Sequence, residues 1–153
     1  MAGYYAENLS GERLRRCYEI APPRVEQYLE AEIRFVVERL KSTDAVLELG
    51  CGYGRVAARL AAAAARVVGI DTAAESLDLA RELSGSMPAC EYLEMNALEL
   101  TFYDAEFDKV VCIQNGICAF GVDRELLVRQ ALRVTRPGGS IYLSSYAAGF
   151  WPD

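Results

Sequence analysis

Glu48, Gly50, Gly52, Gly54 and Asp71 are the residues whose types and spacing could do chemistry in this chain. The run Val46-Leu47-Glu48-Leu49 is apolar apart from one acid and breaks into Gly50-Cys51-Gly52-Tyr53-Gly54. Glycines at that density permit positive φ and let a ligand approach bare backbone. An alanine-rich helical stretch follows at once, and a helix start offers unpaired N–H groups. A second apolar run, Val67-Val68-Gly69-Ile70, closes on the carboxylate of Asp71. Strand, glycine loop, helix, and then a strand ending in an acid point to a nucleoside-binding half of an α/β sheet.

The elements that must position these residues alternate along the chain. Residues 1–23 read as tyrosine-rich and irregular, ending at Pro22-Pro23. From Arg24 to Leu40, Val25, Tyr28, Leu29, Ile33, Val36, Val37 and Leu40 fall at helical spacing, with Glu26, Glu30 and Glu38 opposite them. That pattern predicts an amphipathic surface helix. Strand 46–49 leads to helix 54–64, and strand 67–71 to helix 75–84, which Thr72-Ala73-Ala74-Glu75 could open as a capping box. Pro88 precedes a short strand near Cys90 to Leu93. Phe107 to Ile113 is nearly all apolar, as expected of a strand covered on both faces. Asp123 can cap helix 124–134, and Arg136-Pro137-Gly138-Gly139 reads as a stop and turn before strand 140–145. Such alternation implies a mostly parallel sheet.

The 153 residues suit one domain with a real core. A formal net charge of −6 argues against a surface that tracks phosphates, so a nucleic-acid partner is not expected. No apolar run reaches membrane-spanning length. Five cysteines form no C-x-x-C pair and histidine is absent, so neither a structural zinc site nor any other metal site is expected. An odd number of cysteines without a signal-peptide pattern suggests reduced thiols in a cytoplasm. Without an imidazole, Ser-His and Cys-His nucleophilic schemes are excluded within the chain. No catalytic residue is assigned.

Four ordered segments resemble the class I S-adenosylmethionine-dependent methyltransferases, of the small-molecule "methyltransferase domain 11/25" type, over roughly residues 25–146. They are Glu48 to Gly54, the strand end at Asp71, Phe107-Asp108-Lys109-Val110-Val111, and Leu132 to Gly139 with its Arg-Pro-Gly-Gly turn. The resemblance implies a Rossmann-like three-layer α/β sandwich with a mostly parallel sheet of order 3-2-1-4-5. It also implies S-adenosylmethionine as cofactor, bound along Gly50, Cys51, Gly52 and Gly54, with Asp71 at the ribose and Thr72 next to it among the cofactor-binding residues. A carboxylate at a strand end can accept from both ribose hydroxyls. Cys51 itself reads as a small packing residue. Glu48 either meets the donor's amino group and sulfonium or pins the loop as a buried acid. Asn96 and Ala97 take the place where the family contacts adenine, and an amide offers a donor and an acceptor there. Gln114 and Asn115 follow the fourth strand, beside the transferred methyl and the acceptor. Asp108 reads as structural, orienting its strand end.

Tyr4, Tyr5 and Tyr18 either close over donor and acceptor as a lid or pack against the N-terminal region. Residues 1–41 then form an N-terminal lid with an amphipathic helix, and 42–153 the donor-binding core. Methyl transfer to a small-molecule acceptor is an in-line displacement that needs alignment and dryness more than an acid–base team. A nicotinamide-dependent oxidoreductase would want glycine where Arg55 stands. A non-catalytic binding or partner domain is the remaining alternative. The family core has two further strands, so the sequence suggests a fragment truncated after its fifth strand, or a sheet completed by a partner such as a second copy.

Overall fold

The computed structural model describes residues 8–119 and 123–147. Among them, helices α1 (Gly11–Glu19) and α2 (Pro23–Val37) precede the sheet. The sheet region then runs β1 (Ala45–Leu49), α3 (Arg55–Ala61), β2 (Arg66–Asp71), α4 (Ala74–Ser84), β3 (Cys90–Glu94) and β4 (Phe107–Cys112). It ends with a short α5 (Gly116–Ala119), α6 (Arg124–Val134) and β5 (Thr135–Leu143). The strands lie in the order β3-β2-β1-β4-β5 and every neighbouring pair is parallel. Strand order therefore reverses between β1 and β4, and in open α/β sheets ligands bind in the crevice above that point.

Alternation along the strands sorts the core into two layers. Val46 and Val67 face one side, where they pack with Ile33 and Val36 of α2, Val56 and Leu60 of α3, and Leu77 of α4. Leu47, Leu49, Val68 and Ile70 face the other, against Leu127, Ala131 and Val134 of α6. With both faces covered, the central strands must be apolar throughout. Glu48 breaks that rule and is nonetheless buried, at 5% exposure.

Several expected boundaries are revised. The stretch read as irregular contains α1, which packs on α4: the Ser10 hydroxyl donates to Glu75 Oε2 at 2.8 Å, and Gly11 N to Ser76 Oγ at 2.9 Å. Glu75 is thereby engaged by α1, the N-cap of α4 is Ala73 with no side-chain cap, and the expected capping box does not form. Arg136-Pro137-Gly138-Gly139 lies inside β5, as an irregularity between the pairs Phe107–Thr135 and Lys109–Ser140. Asp108 acts as expected at the start of β4. Its Oδ2 accepts from Ala45 N at 2.8 Å and both its oxygens accept from Arg136 Nη1. The Ala45 backbone N–H, and then Arg136, hold its carboxyl below the usual carboxylate range.

Asp123 caps α6, Oδ1 accepting from Leu126 N at 3.1 Å. Replacing Asp123 with Ala is expected to lower stability by about 1 kcal/mol, read from the urea midpoint at unchanged slope.

Candidate functional site

The glycine loop is tied to the end of the neighbouring strand. Gly50 N and Cys51 N both donate to Ile70 O, at 2.8 and 2.9 Å, and Gly54 N closes the turn on Cys51 O at 2.9 Å. Gly50, Gly52 and Gly54 have φ of +71°, +52° and +82°. Asp71 completes the loop: Oδ2 accepts from Gly52 N at 2.8 Å and Oδ1 from Ala73 N at 2.9 Å. Each oxygen keeps a second lone pair, so Asp71 can shape the loop and still accept from a bound diol. Cys51 is buried against Gly69, where a Cβ would fall 2.9 Å from its Sγ. That fits a packing residue.

Glu48 lies beneath this loop. The first backbone donors of α3 were expected to face a ligand; one of them, the Ala57 N–H, also favours the charged form of the Glu48 carboxyl. Oε2 has no hydrogen-bond partner; it is the sole buried side-chain oxygen or nitrogen so placed among the described residues. Burial pushes the carboxyl up to about 8, with Arg55 opposing the rise and Asp71 adding to it. A buried acid with one orphaned oxygen is costly unless something cationic or hydrogen-donating meets it. The donor implied by the sequence carries both an ammonium and a sulfonium, so Glu48 fits it. The glycine loop and Asp71 fit its nucleoside end.

Across the switch point, Gln114 and Asn115 follow β4 with φ of +60° and +64°. Asparagine tolerates the left-handed region through local hydrogen bonds; glutamine does so less readily. Side chains hold the turn. Gln114 N donates to Ser144 Oγ at 2.8 Å and to Glu32 Oε2 at 3.2 Å. Asn115 Oδ1 accepts from Ser145 Oγ at 3.2 Å. Arg55 donates to Gln114 Oε1, and Gln114 Nε2 donates to Leu29 O at 3.4 Å. The Gln114 side chain is thus committed to protein partners.

Arg55 also lies 3.8 Å from Glu30 and stacks on Tyr18 with its guanidinium carbon 4.2 Å from the ring centroid. Tyr18 and Tyr53 meet at 6.0 Å between centroids. These residues, with Glu19, Glu26, Leu29 and Glu30, line a pocket of about 350 Å³ beside the glycine loop. Tyr18, in α1, is thus part of this pocket, and Leu14 of α1 lies against Gly52. Tyr4 and Tyr5 fall outside the described residues.

The adenine-edge residues stand apart on the β3 side. Asn96 is exposed and its Oδ1 accepts from Leu98 N at 3.0 Å, while Ala97 is half-buried. Thr72 is exposed between Asp71 and Ala73. Two residues at this end of the sheet escaped sequence reasoning. Glu32 touches the Gln114 turn, and Tyr28 donates to Glu32 Oε1 at 2.8 Å. The available signal was their i,i+4 spacing on the edge of α2's buried stripe.

Comparison with known proteins agrees with this geometry. A family model described as "Methyltransferase domain" matches residues 46–139. A ubiquinone biosynthesis O-methyltransferase of Aromatoleum aromaticum is 34% identical over 107 residues, 69% of this chain and 45% of that protein. The 27-O-demethylrifamycin SV methyltransferase of Amycolatopsis mediterranei is 33% identical over 113 residues, 70% of this chain and 40% of the relative. The crystal structure of a SAM-dependent methyltransferase from Methanosarcina mazei superposes with a TM-score of 0.61 at 27% identity, covering 80% of this chain and 57% of that one. The chain spans about half the length of the curated relatives it matches. With the five-stranded 3-2-1-4-5 sheet and the glycine loop bound to Asp71, this places the chain in the methyltransferase domain family.

Proposed function

We propose that the protein moves a methyl group from S-adenosylmethionine to a small-molecule acceptor. The observation that carries this reading is the orphaned Oε2 of buried Glu48 directly under the glycine loop. A cationic donor supplies what that oxygen lacks. In the reading, Gly50 to Gly54 offer backbone to the donor, Asp71 and Thr72 hold the ribose, and Asn96 with Ala97 border the adenine edge. Glu48 faces the ammonium and sulfonium, Gln114 supports the reactive end, and Tyr18 and Asn115 border the acceptor. The names of two relatives, one for ubiquinone biosynthesis and one for 27-O-demethylrifamycin SV, support a small organic acceptor.

The donor supplies the electrophilic methyl when bound. The chain's part is to orient, to shield the reaction from water, and to place the acceptor in line. Calorimetric titration with S-adenosylmethionine is expected to give one-site binding. Asp71→Asn is expected to weaken it about tenfold or more, since charged hydrogen bonds are worth about 1.5–3 kcal/mol. No heat of binding for either the donor or its demethylated product would overturn the proposal. Donor binding with no transfer to any acceptor would instead favour a non-catalytic binding domain.

A further inference from the structure

A methyl acceptor bearing a hydroxyl must lose its proton, and the chain has no histidine to take it. The carboxylates near the switch point differ in what already occupies them. Asp71 is bound to two backbone N–H groups, and Glu48 is buried beneath the loop. Glu30 pairs with Arg59 at 2.9 Å and Arg55 at 3.8 Å, and Glu19 with Arg15 at 2.8 Å. Asp108 serves the opposite end of the sheet, at the start of β4. Glu32 is different: it is half-buried, and its hydrogen-bond partners are two neutral donors, the Tyr28 hydroxyl and Gln114 N. No cation lies within salt-bridge distance of it among the described residues, and each oxygen keeps a free lone pair.

Its place in the sheet matters as much. A donor held by ribose at Asp71 and by its cationic end at Glu48 runs from β2 across β1 toward β4. The next groups in that direction are the Gln114 turn and Glu32 against it. Past the Gln114 turn come Asn115, Ser145 and Cys118, with Ser145 Oγ on Asn115 Oδ1 and Cys118 Sγ 3.3 Å from Ser145 Oγ. Tyr28 and Tyr146 add two rings 6.1 Å apart at the centroids. Aromatic walls beside a hydroxyl-rich edge suit a planar, hydroxylated acceptor.

Building on the methyl-donor reading, we infer that Glu32 is the general base for a phenolic acceptor hydroxyl and that Tyr28 positions it. The acceptor oxygen forms its bond to the methyl carbon as the carbon–sulfur bond breaks and its electron pair stays on sulfur, leaving a neutral thioether. The acceptor proton passes to the Glu32 carboxylate and then to solvent. A carboxylate suffices because the oxygen becomes strongly acidic as the new bond forms. Tyr28 stays protonated in this scheme: burial first, and then Glu32, push its hydroxyl up to about 12. Among the described residues, the titratable and charged groups facing the pair are Tyr146 against Tyr28, Cys118 through Ser145, and Arg55 through the Gln114 side chain.

The test uses methyl-labelled S-adenosylmethionine with catechol, hydroquinone and a long-chain 2-alkylphenol, against aniline and thiophenol. Label is expected on the phenols alone. Glu32→Gln, which keeps the acceptor for Gln114 N, is expected to lower kcat by about a hundredfold or more with donor Kd unchanged. Glu32→Asp should recover part of that loss. Tyr28→Phe removes a donor that stabilises the carboxylate, so the ascending acid limb of kcat against pH should move to higher pH. A merely structural tyrosine would leave that limb in place. Donor binding with no phenol methylation, transfer to aniline or thiophenol alone, or unchanged kcat in Glu32→Gln would each overturn the inference while the methyl-donor reading stands. Loss of donor binding by the unaltered protein would overturn the reading beneath it.

Discussion

Binding of S-adenosylmethionine to this protein is expected to release close to one proton at pH 7, and Glu48→Gln is expected to abolish that release. In the free protein, burial holds the Glu48 carboxyl near 8, so at neutral pH it is mostly protonated. A cationic group brought to its orphaned Oε2 favours the ionised form. The proton must leave as the donor enters. Affinity should therefore rise up to about tenfold per pH unit between pH 6 and 8 and level off above, a tenfold change being worth about 1.4 kcal/mol. Titrations in buffers of different ionisation heat count the protons. The donor's own amino and carboxyl groups also titrate, but identically in both proteins, so the difference between wild type and Glu48→Gln isolates the protein's share. At pH 8 the variant should bind about 10- to 150-fold more weakly, the equivalent of losing about 1.5–3 kcal/mol of charged hydrogen bonding. Equal proton release by the two proteins would show that Glu48 does not meet the donor.

The same group makes an opposite prediction for folding. A carboxyl whose folded pKa is raised from 4.5 to about 8 contributes stability that is complete below 4.5 and is lost as pH rises through 8. Over that window the unfolded chain holds fewer protons than the folded one, so wild-type stability should fall by up to about 1.4 kcal/mol per pH unit. Glu48→Gln removes this slope. The variant should melt higher than wild type at pH 8 without ligand, while binding donor worse. Gain of stability with loss of binding is what distinguishes a functional buried acid from one that merely pins the loop.

What the sequence disclosed and what it concealed follow from the range of the interactions involved. The strands, the glycine loop and Asp71 were legible because each rests on local chemistry: apolar runs, positive-φ residues, and an acid at a strand end. The order of the strands followed from the family resemblance those segments carry. α1 was not, because Gly-Glu-Arg-Leu-Arg-Arg-Cys-Tyr-Glu is mostly charged and its apolar residues are few, Leu14, Cys17 and Tyr18. It is held instead by Ser10 and Gly11 on Glu75 and Ser76, 65 residues away. That distant contact also removed Glu75 from its expected capping role. The Arg-Pro-Gly-Gly segment looked like a turn and was absorbed into β5, because Arg136 is fixed on Asp108 and Gly139 packs where a Cβ would sit 2.7 Å from Asp108 O. Glu32 stayed hidden for the same reason. Its partner is a backbone N–H 82 positions downstream, a contact that the i,i+4 spacing with Tyr28 does not reveal.

Gly54 tests how much of the loop's glycine content is conformational and how much is a matter of space. Gly54 and Gly138 share nearly the same backbone, with φ of +82° and +79°. At Gly138 an added Cβ meets nothing within 4 Å, so Gly138→Ala incurs the left-handed strain alone, about 1–2 kcal/mol. At Gly54 the same Cβ would lie 2.5 Å from the Tyr92 hydroxyl and 2.8 Å from its ring carbon. Tyr92 cannot step aside cheaply: it is buried, and its hydroxyl is 2.7 Å from Ser84 Oγ. Gly54→Ala must therefore add a packing cost to the strain, typically about 1–3 kcal/mol for an overfilled core site. Relief by shifting the loop would drag Gly52 N off Asp71 and move the start of α3 away from Glu48. Gly138→Ala is expected to lower the urea midpoint modestly with donor affinity intact. Gly54→Ala should lower it further and reduce donor affinity at least tenfold. Equal effects of the two substitutions would mean that Gly54 is needed for its φ alone and that the close approach to Tyr92 contributes nothing to the site.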